Sequence, residues 1–331
     1  MKNFKFLALL AFSAVPLLSS CTKVLSSDYD PDKGEKYAVK VRVVHPSTKA
    51  ADINTSQDLT VHSLQVYAFL NGDLDVYRES QCDTLILSCT QGTRKFYALI
   101  NAPTLNTITT EAELLAATSD LANSSLNSLE MIGSQEATIG KDNKVVEIHV
   151  SRVASRVILE QITKAFTSTA LAKQTFKVKR IYLVNASGKA AYGAMGTPVL
   201  WCNQKAFDES LDAKYKKFMI DTVDFAVSTN YAVTHTFYCY PNGTESDVNG
   251  GSSFSARYTR LVIEAEIGKE LCYYPINLPK LENNKSYVIK EVKITKPGST
   301  SPDEPVTVMN CEVSLYIEPW DSVNVTEGTT V

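Results

Sequence analysis

The sequence predicts an all-β protein of two β-sandwich domains with a short helical insertion. Three observations carry that prediction. Short runs rich in Val, Ile, Tyr and Phe recur along the chain, several of them alternating apolar and polar residues at period two. Asn-Gly, Gly and Pro turn signals separate the runs. The roughly 310 residues that follow the amino-terminal segment are also more than one ordinary core accommodates.

At the amino terminus, Lys2 and Lys5 precede an apolar run over residues 6–18, followed by Ser19, Ser20 and Cys21. A charged start, a short apolar stretch and small residues make a secretory signal peptide, here residues 1–20. The run is shorter than the roughly 20 residues that cross a bilayer, so it reads as a leader and not a span. Leu18-Ser19-Ser20-Cys21 resembles a bacterial lipobox, which makes Cys21 the lipidation site. Acyl chains contribute about 0.8 kcal/mol per buried methylene, so several of them hold a protein on a membrane.

Residues 21–36 read as a lipidated linker, too poor in apolar side chains to order itself. Asp28, Asp30, Asp32 and Gly34 mimic a calcium loop, but the glycine stands one place late and Pro31 interrupts it. Tyr37, Val39, Val41 and Val43 then alternate with Ala38, Lys40 and Arg42, the pattern of a strand with one buried face. Further strands are predicted at 64–70, 85–89, 96–100, 145–150, 157–162, 176–184, 236–240, 261–267, 287–294 and 306–317.

Thr110 with Glu113 forms a capping box ahead of Leu114, Leu115, Ala116 and Ala117, which predicts the helical insertion. A weaker helical patch covers 207–218. Small residues over 187–196, after Asn185, suggest a boundary, giving domains at 37–186 and 187–331. Val66, Tyr67, Phe69, Leu99, Val157 and Leu159 are expected in the first core. Leu261, Ile263, Ile289, Val313 and Leu315 are expected in the second.

A net charge of −3 gives no reason to expect a nucleic-acid partner. Of the seven cysteines, Cys82, Cys89, Cys202, Cys239, Cys272 and Cys311 lie beyond Cys21, and none forms a CxxC pair. If residues 85–87 are extended, the α-carbons of Cys82 and Cys89 stand about 23 Å apart at about 3.3 Å per residue, beyond disulfide reach. Most of these cysteines are expected to act as small buried hydrophobes.

His45, His62, His149 and His235 are scattered, and no HExxH, GxSxG or Walker pattern occurs. Gly250-Gly251-Ser252-Ser253 lacks the strand-to-helix setting of an anion cradle and reads as a hairpin loop. The expectation is therefore a non-enzyme with no catalytic residues, no metal and no cofactor.

Several stretches together resemble the fimbrillin family, the type V pilins of Bacteroidia. They are the lipobox at Cys21; Val66-Tyr67-Ala68-Phe69-Leu70-Asn71-Gly72; Phe96-Tyr97-Ala98-Leu99-Ile100-Asn101-Ala102-Pro103; and Ser151-Arg152-Val153-Ala154-Ser155-Arg156-Val157. Tyr273-Tyr274-Pro275-Ile276, Asn284-Lys285-Ser286-Tyr287, Thr295-Lys296-Pro297-Gly298 with the Pro302 and Pro305 loop, and a final strand ending at Trp320 complete the set. The resemblance spans nearly the whole chain.

It implies transthyretin-like sandwich domains and polymerisation by donor-strand exchange after proteolysis. Carried onto this sequence, residues 37–49 would be removed by a protease with Lys/Arg specificity cutting between Lys49 and Ala50, in the polar stretch His45-Pro46-Ser47-Thr48-Lys49-Ala50-Ala51. Tyr37, Val39, Val41 and Val43 would be the displaced strand. Val323 and Val325, alternating with Ser322, Asn324 and Thr326, would be the donor strand.

The implied partners are other copies of the chain, minor fimbrial subunits, the maturing protease, and the outer membrane through the acylated precursor. The implied place is the cell surface, as a stalk subunit supporting adhesion. The alternatives are an anchor or tip subunit, or a surface lipoprotein that binds glycans, for which Trp201 and Trp320 offer few stacking aromatics.

Overall fold

The computed structural model describes residues 36–45, 60–105, 107–247, 254–304 and 311–320, together with the backbone of a two-residue strand at Val24–Leu25. It is predominantly β. In chain order the first strands are Val24–Leu25 (β1), Lys36–Val44 (β2), Leu64–Leu70 (β3), Asp73–Ser80 (β4), Thr84–Thr90 (β5) and Gly92–Ile100 (β6). Thr118–Asp120 (β7), Met131–Ile139 (β8) and Val145–Arg152 (β9) follow.

The later strands are Ser155–Leu159 (β10), Ile162–Lys164 (β11), Phe176–Val184 (β12), Ala186–Ala191 (β13), Ala194–Cys202 (β14) and Ile220–Ala226 (β15). Asn230–Tyr231 (β16), His235–Cys239 (β17), Arg260–Ile267 (β18), Glu270–Asn277 (β19), Lys285–Ile294 (β20) and Cys311–Pro319 (β21) complete the set.

An eight-stranded sheet runs in the order β1-β4-β3-β6-β8-β9-β2-β5. It closes on itself as two layers. Strands β8 and β9 pair over only three positions, Met131–Arg152 to Gly133–Val150, and the sheet turns there. Gly133 permits that approach, since a Cβ would lie 2.1 Å from the His149 carbonyl oxygen. Inward residues of β3, β6 and β8 then meet those of β9, β2 and β5 in one core: Val66, Phe96 and Ile100 against Val41, Leu87 and Ile148.

A second core lies between a four-stranded sheet, β15-β12-β18-β19, and a six-stranded sheet, β16-β11-β20-β10-β17 with β21 beside β20. Val178, Ile181 and Ile263 of one sheet pack with Val157, Ile289 and Ile294 of the other. Val157 and Leu159, expected in the first core, belong to this one. The cause is pairing, because β10 lies between β17 and β20.

The helix Glu111–Ala116 (α1) carries the expected capping box, with Thr110 and Glu113 bonded reciprocally. Its Leu114 covers the outer face of β3 and β6 with Tyr67, Phe69 and Leu99, so β3 is buried on both faces. The weaker helical patch shortens to Ala213–Met219 (α3), after the four-residue helix Thr169–Ala172 (α2).

Other expectations shift in ways the pairing explains. The run at 157–162 divides into β10 and β11, and the small-residue stretch from 187 forms the β13–β14 hairpin. Val24 and Leu25, within the expected linker, pair with Arg78 and Tyr77 at the β4 edge. An edge strand offers backbone partners to a segment that has no apolar core of its own. Cys89, Cys202, Cys239, Cys272 and Cys311 are buried and Cys82 is exposed, all six as free thiols. The predicted strand at 306–317 is observed at Cys311–Pro319, and residues 305–310 are outside the described residues.

Candidate assembly groove

Strand β2 lies inside its layer, with β5 on one side and β9 on the other. It runs antiparallel to β5, from Lys36–Thr90 to Arg42–Thr84, and parallel to β9, from Lys40–Val145 to Val44–His149. Its burial alternates without exception through Val43. Tyr37, Val39, Val41 and Val43 point into the core at 8, 0, 0 and 3% exposure, whereas Ala38, Lys40 and Arg42 face out. The four residues predicted to form a displaceable strand therefore share one wall of one core.

Each inward residue has a matched neighbour. Tyr37 lies beside Cys89, Val39 beside Leu87, and Val41 between Leu85 and Val146. Burial pushes the Cys89 thiol up to about 12, so it behaves as an apolar lining group. The strand also makes contacts beyond the core. Lys144 Nζ stands 5.3 Å from the centroid of the Tyr37 ring, and Arg42 pairs with Glu147 on the outer face. The Lys40 amide donates to the Lys144 carbonyl at 2.8 Å, and the Val43 amide donates to that of Asp83 at 2.9 Å.

His45 closes the end of β2. Burial holds its imidazole below the ordinary value, with the nearby Arg152 charge acting the same way and Asp83 opposing both. In the sheet order β5 has one neighbour, and that neighbour is β2. Taking β2 away would open an apolar slot between two unpaired strand edges, a surface that proteins otherwise cover.

A second arrangement sits at the other end of the described chain. Trp320 follows β21 and is 4% exposed. Two guanidinium groups lie against its ring, Arg152 at 4.8 Å and Arg156 at 4.7 Å from the centroid, with Tyr238 stacked at 5.6 Å. The Trp320 amide donates to the Asn284 carbonyl at 3.2 Å, and Arg152 Nη1 donates to Asn284 Oδ1 at 3.1 Å.

Arg152 is the last residue of β9, the strand that walls the groove, and Arg156 lies in β10 of the second core. The Arg152-x-x-x-Arg156 stretch was legible in the sequence, but its contact with Trp320 was not. Two arginines four residues apart with one aromatic closing the last strand were the available signal.

The two cores also meet at a buried carboxylate. Ser119 Oγ donates to Glu130 at 2.8 Å and lies 2.6 Å from the Tyr240 hydroxyl, while the Tyr192 hydroxyl donates to the other Glu130 oxygen. Burial pushes the Glu130 carboxyl up to about 7, against the hydrogen bonds from Tyr192 and Ser119.

No family model matches the chain, and no curated protein matches it. Solved structures do. A fimbrilin from Porphyromonas gingivalis superposes with a TM-score of 0.61 at 18% identity, over 87% of this chain and 98% of that one. The chain has a fimbrillin fold. A candidate cell adhesion protein from Bacteroides eggerthii gives a TM-score of 0.64 at 19% identity, covering 88% of this chain and 98% of its own. The tip fimbrial protein Mfa3 of Porphyromonas gingivalis, truncated at its carboxyl end, gives 0.52 at 14% identity, over 86% and 100%.

Within this fimbrillin fold the expected site residues divide into two groups. Tyr37, Val39, Val41 and Val43 come together along the groove. Cys21, Lys49, Ala50, Val323 and Val325 lie outside the described residues. Among the described residues no cluster of His, Cys, Asp or Glu could hold a metal ion, and no helix is long and apolar enough to cross a membrane.

Proposed function

We propose that this protein is a structural subunit, of the stalk type, of a cell-surface fimbria. It is exported as a lipoprotein acylated at Cys21 and polymerises by protease-triggered donor-strand exchange in support of adhesion. Its partners are further copies of itself and minor fimbrial subunits, with the outer membrane holding the acylated precursor. The observation that carries the reading is the placement of β2, a central strand near the amino end whose four inward residues fill a slot edged by β5 and β9. The fold supports it, being that of solved fimbrial proteins.

In this reading a protease with Lys/Arg specificity cuts between Lys49 and Ala50, and the segment bearing β2 leaves. Residues 322–326 of a neighbour then enter by β-augmentation, Val323 and Val325 filling pockets vacated by β2. A slip of one residue would turn both valines outward. Each subunit gives a strand to one neighbour and takes one from another, so the contact is heterologous and an open filament follows.

The test uses purified precursor treated with a lysine-specific protease. The parent should give a ladder of SDS-resistant polymers, and both Lys49→Ala and the double variant Val323→Asp, Val325→Asp should remain monomeric. A ladder from either variant removes these segments from the mechanism. Incorporation of labelled palmitate by Cys21→Ala would remove the lipidation assignment.

A further inference from the structure

The tryptophan that follows β21 packs against two arginines, one at the end of the groove-wall strand and one in the second core. From this we infer that Arg152, Arg156 and Trp320 are positioning residues for strand donation, fixing the point from which residues 321–331 leave the subunit. The inference rests on the exchange proposed above and adds to it a set of residues that act only in the donor.

The argument starts from how weakly β21 is held elsewhere near its end. It is an outer strand that pairs with β20 alone. Ile317 is 49% exposed, and Glu312, Ser314 and Pro319 are exposed. Such a strand frays from its terminus unless something ties it down. Trp320 supplies the tie: it is the first residue after the strand, 4% exposed, with cations 4.8 and 4.7 Å from its ring centroid and Tyr238 stacked on it.

Arginine suits that role because its planar guanidinium stacks on an indole while its N–H groups bond elsewhere. Here Arg152 Nη1 donates to Asn284 Oδ1 at 3.1 Å and Arg156 Nε donates to Ser286 Oγ at 3.0 Å, so each guanidinium is held by a hydrogen bond of its own. The anchor matters for donation because a segment that leaves from a fixed point has fewer conformations to lose when it binds. With the ring released, β21 would lose the tie at its end and fray back from Trp320.

A mixing experiment separates this role from a general contribution to folding. A donor-only subunit is made with Lys49→Ala, which keeps β2 in place. An acceptor-only subunit is made by lysine-specific cleavage of the Val323→Asp, Val325→Asp double variant. The pair should give a single 1:1 SDS-resistant complex. Trp320→Leu placed in the donor should slow its formation roughly tenfold, as expected for freeing one or two ordered groups. The same substitution in the acceptor should leave the rate unchanged. Trp320→Phe, which keeps an aromatic face against the guanidiniums, should restore most of the donor rate, and Arg156→Met should slow donation as Trp320→Leu does.

Equal slowing in donor and acceptor, or no slowing in either, would overturn the inference while leaving the exchange intact. If Trp320→Leu does not fold, Arg156→Met decides between these outcomes. A parent pair that forms no complex removes the exchange itself, and the inference with it.

Discussion

Strands β2 and β21 lie in different cores and are built in opposite ways. The first sits between two neighbours, presents four apolar side chains to one core and exposes the intervening residues. The second has one neighbour and leaves Ile317 half exposed, and Val313 and Leu315 only lean against the second core. Burying four apolar side chains stabilises by on the order of 10 kcal/mol, at about 1.5–3 kcal/mol each. That rivals the whole net stability of a domain. A strand of the first kind cannot be lost without being replaced, whereas one of the second kind depends on a single partner strand and on Trp320 at its end. Under the proposed exchange, the contrast separates the region that receives a strand from the one that leads to the donated segment.

The strongest way to break the contrast is to delete residues 36–44. The expected outcome is loss of the unfolding transition of the first core, a deficit on the order of 10 kcal/mol, with the transition of the second core retained in calorimetry. A synthetic peptide of residues 36–45 should restore the lost transition. In the deleted protein Cys89 should react with a thiol reagent, and the peptide should protect it. An unaltered melting profile would mean that β2 does not complete the first core.

A second test moves to the seam between the regions. Burial pushes the folded-state Glu130 carboxyl up to about 7 from its ordinary value of 4.5, so the native state holds the extra proton between those values. Stability should therefore fall as pH rises from about 4.5 to 7 and level off above, by roughly 3 kcal/mol at 1.36 kcal/mol per unit. Glu130→Gln should lose most of that slope. Urea titrations of both proteins at pH 5 and pH 8 check it, and parallel pH profiles would contradict the assignment.

Smaller substitutions sharpen the comparison. Val41→Ala, at a position with no exposure, should cost about 2 kcal/mol through two lost methyl-sized groups and a residual cavity. Val313→Ala, on the outer strand, should cost less than about 1 kcal/mol because its side chain is only partly buried. Equal costs in a denaturant series would erase the distinction between the strands. Smallest of all, Arg42→Ala should change stability by no more than about 0.5 kcal/mol, since its pair with Glu147 is exposed.

Much of this architecture was legible in the sequence, for reasons that also explain what was not. Strand β2 could be read because burial on one face imposes period two on residues 37–43. Strand β3 could be read from its apolar run, but its two-sided burial comes from α1, whose packing leaves no periodicity in β3. Strands β4 and β8 escaped notice because each is mostly half exposed. Tyr77 is the one buried side chain of β4, and the middle of β8 is polar. The membership of Val157 and Leu159 was misjudged because a strand's sequence does not specify its partners. The walls of the groove and the Arg152–Trp320 contact depend on chain segments far apart in sequence. The proposed cleavage site and donor valines rest on their residues alone, outside the described structure.

The covalent link between β2 and the rest of the chain has a consequence for reversibility. While the chain is intact, β2 binds its own slot as an intramolecular event, at an effective concentration set by the covalent connection. No dilute neighbour matches that, whatever its intrinsic fit. Under the proposed exchange, one peptide-bond hydrolysis makes the segment bearing β2 a separate molecule, held at the membrane by its acylated Cys21 and no longer joined to the slot. A neighbour that binds more weakly than β2 can then hold the slot indefinitely. In that mechanism the energy of hydrolysis would be converted into a preference for polymer.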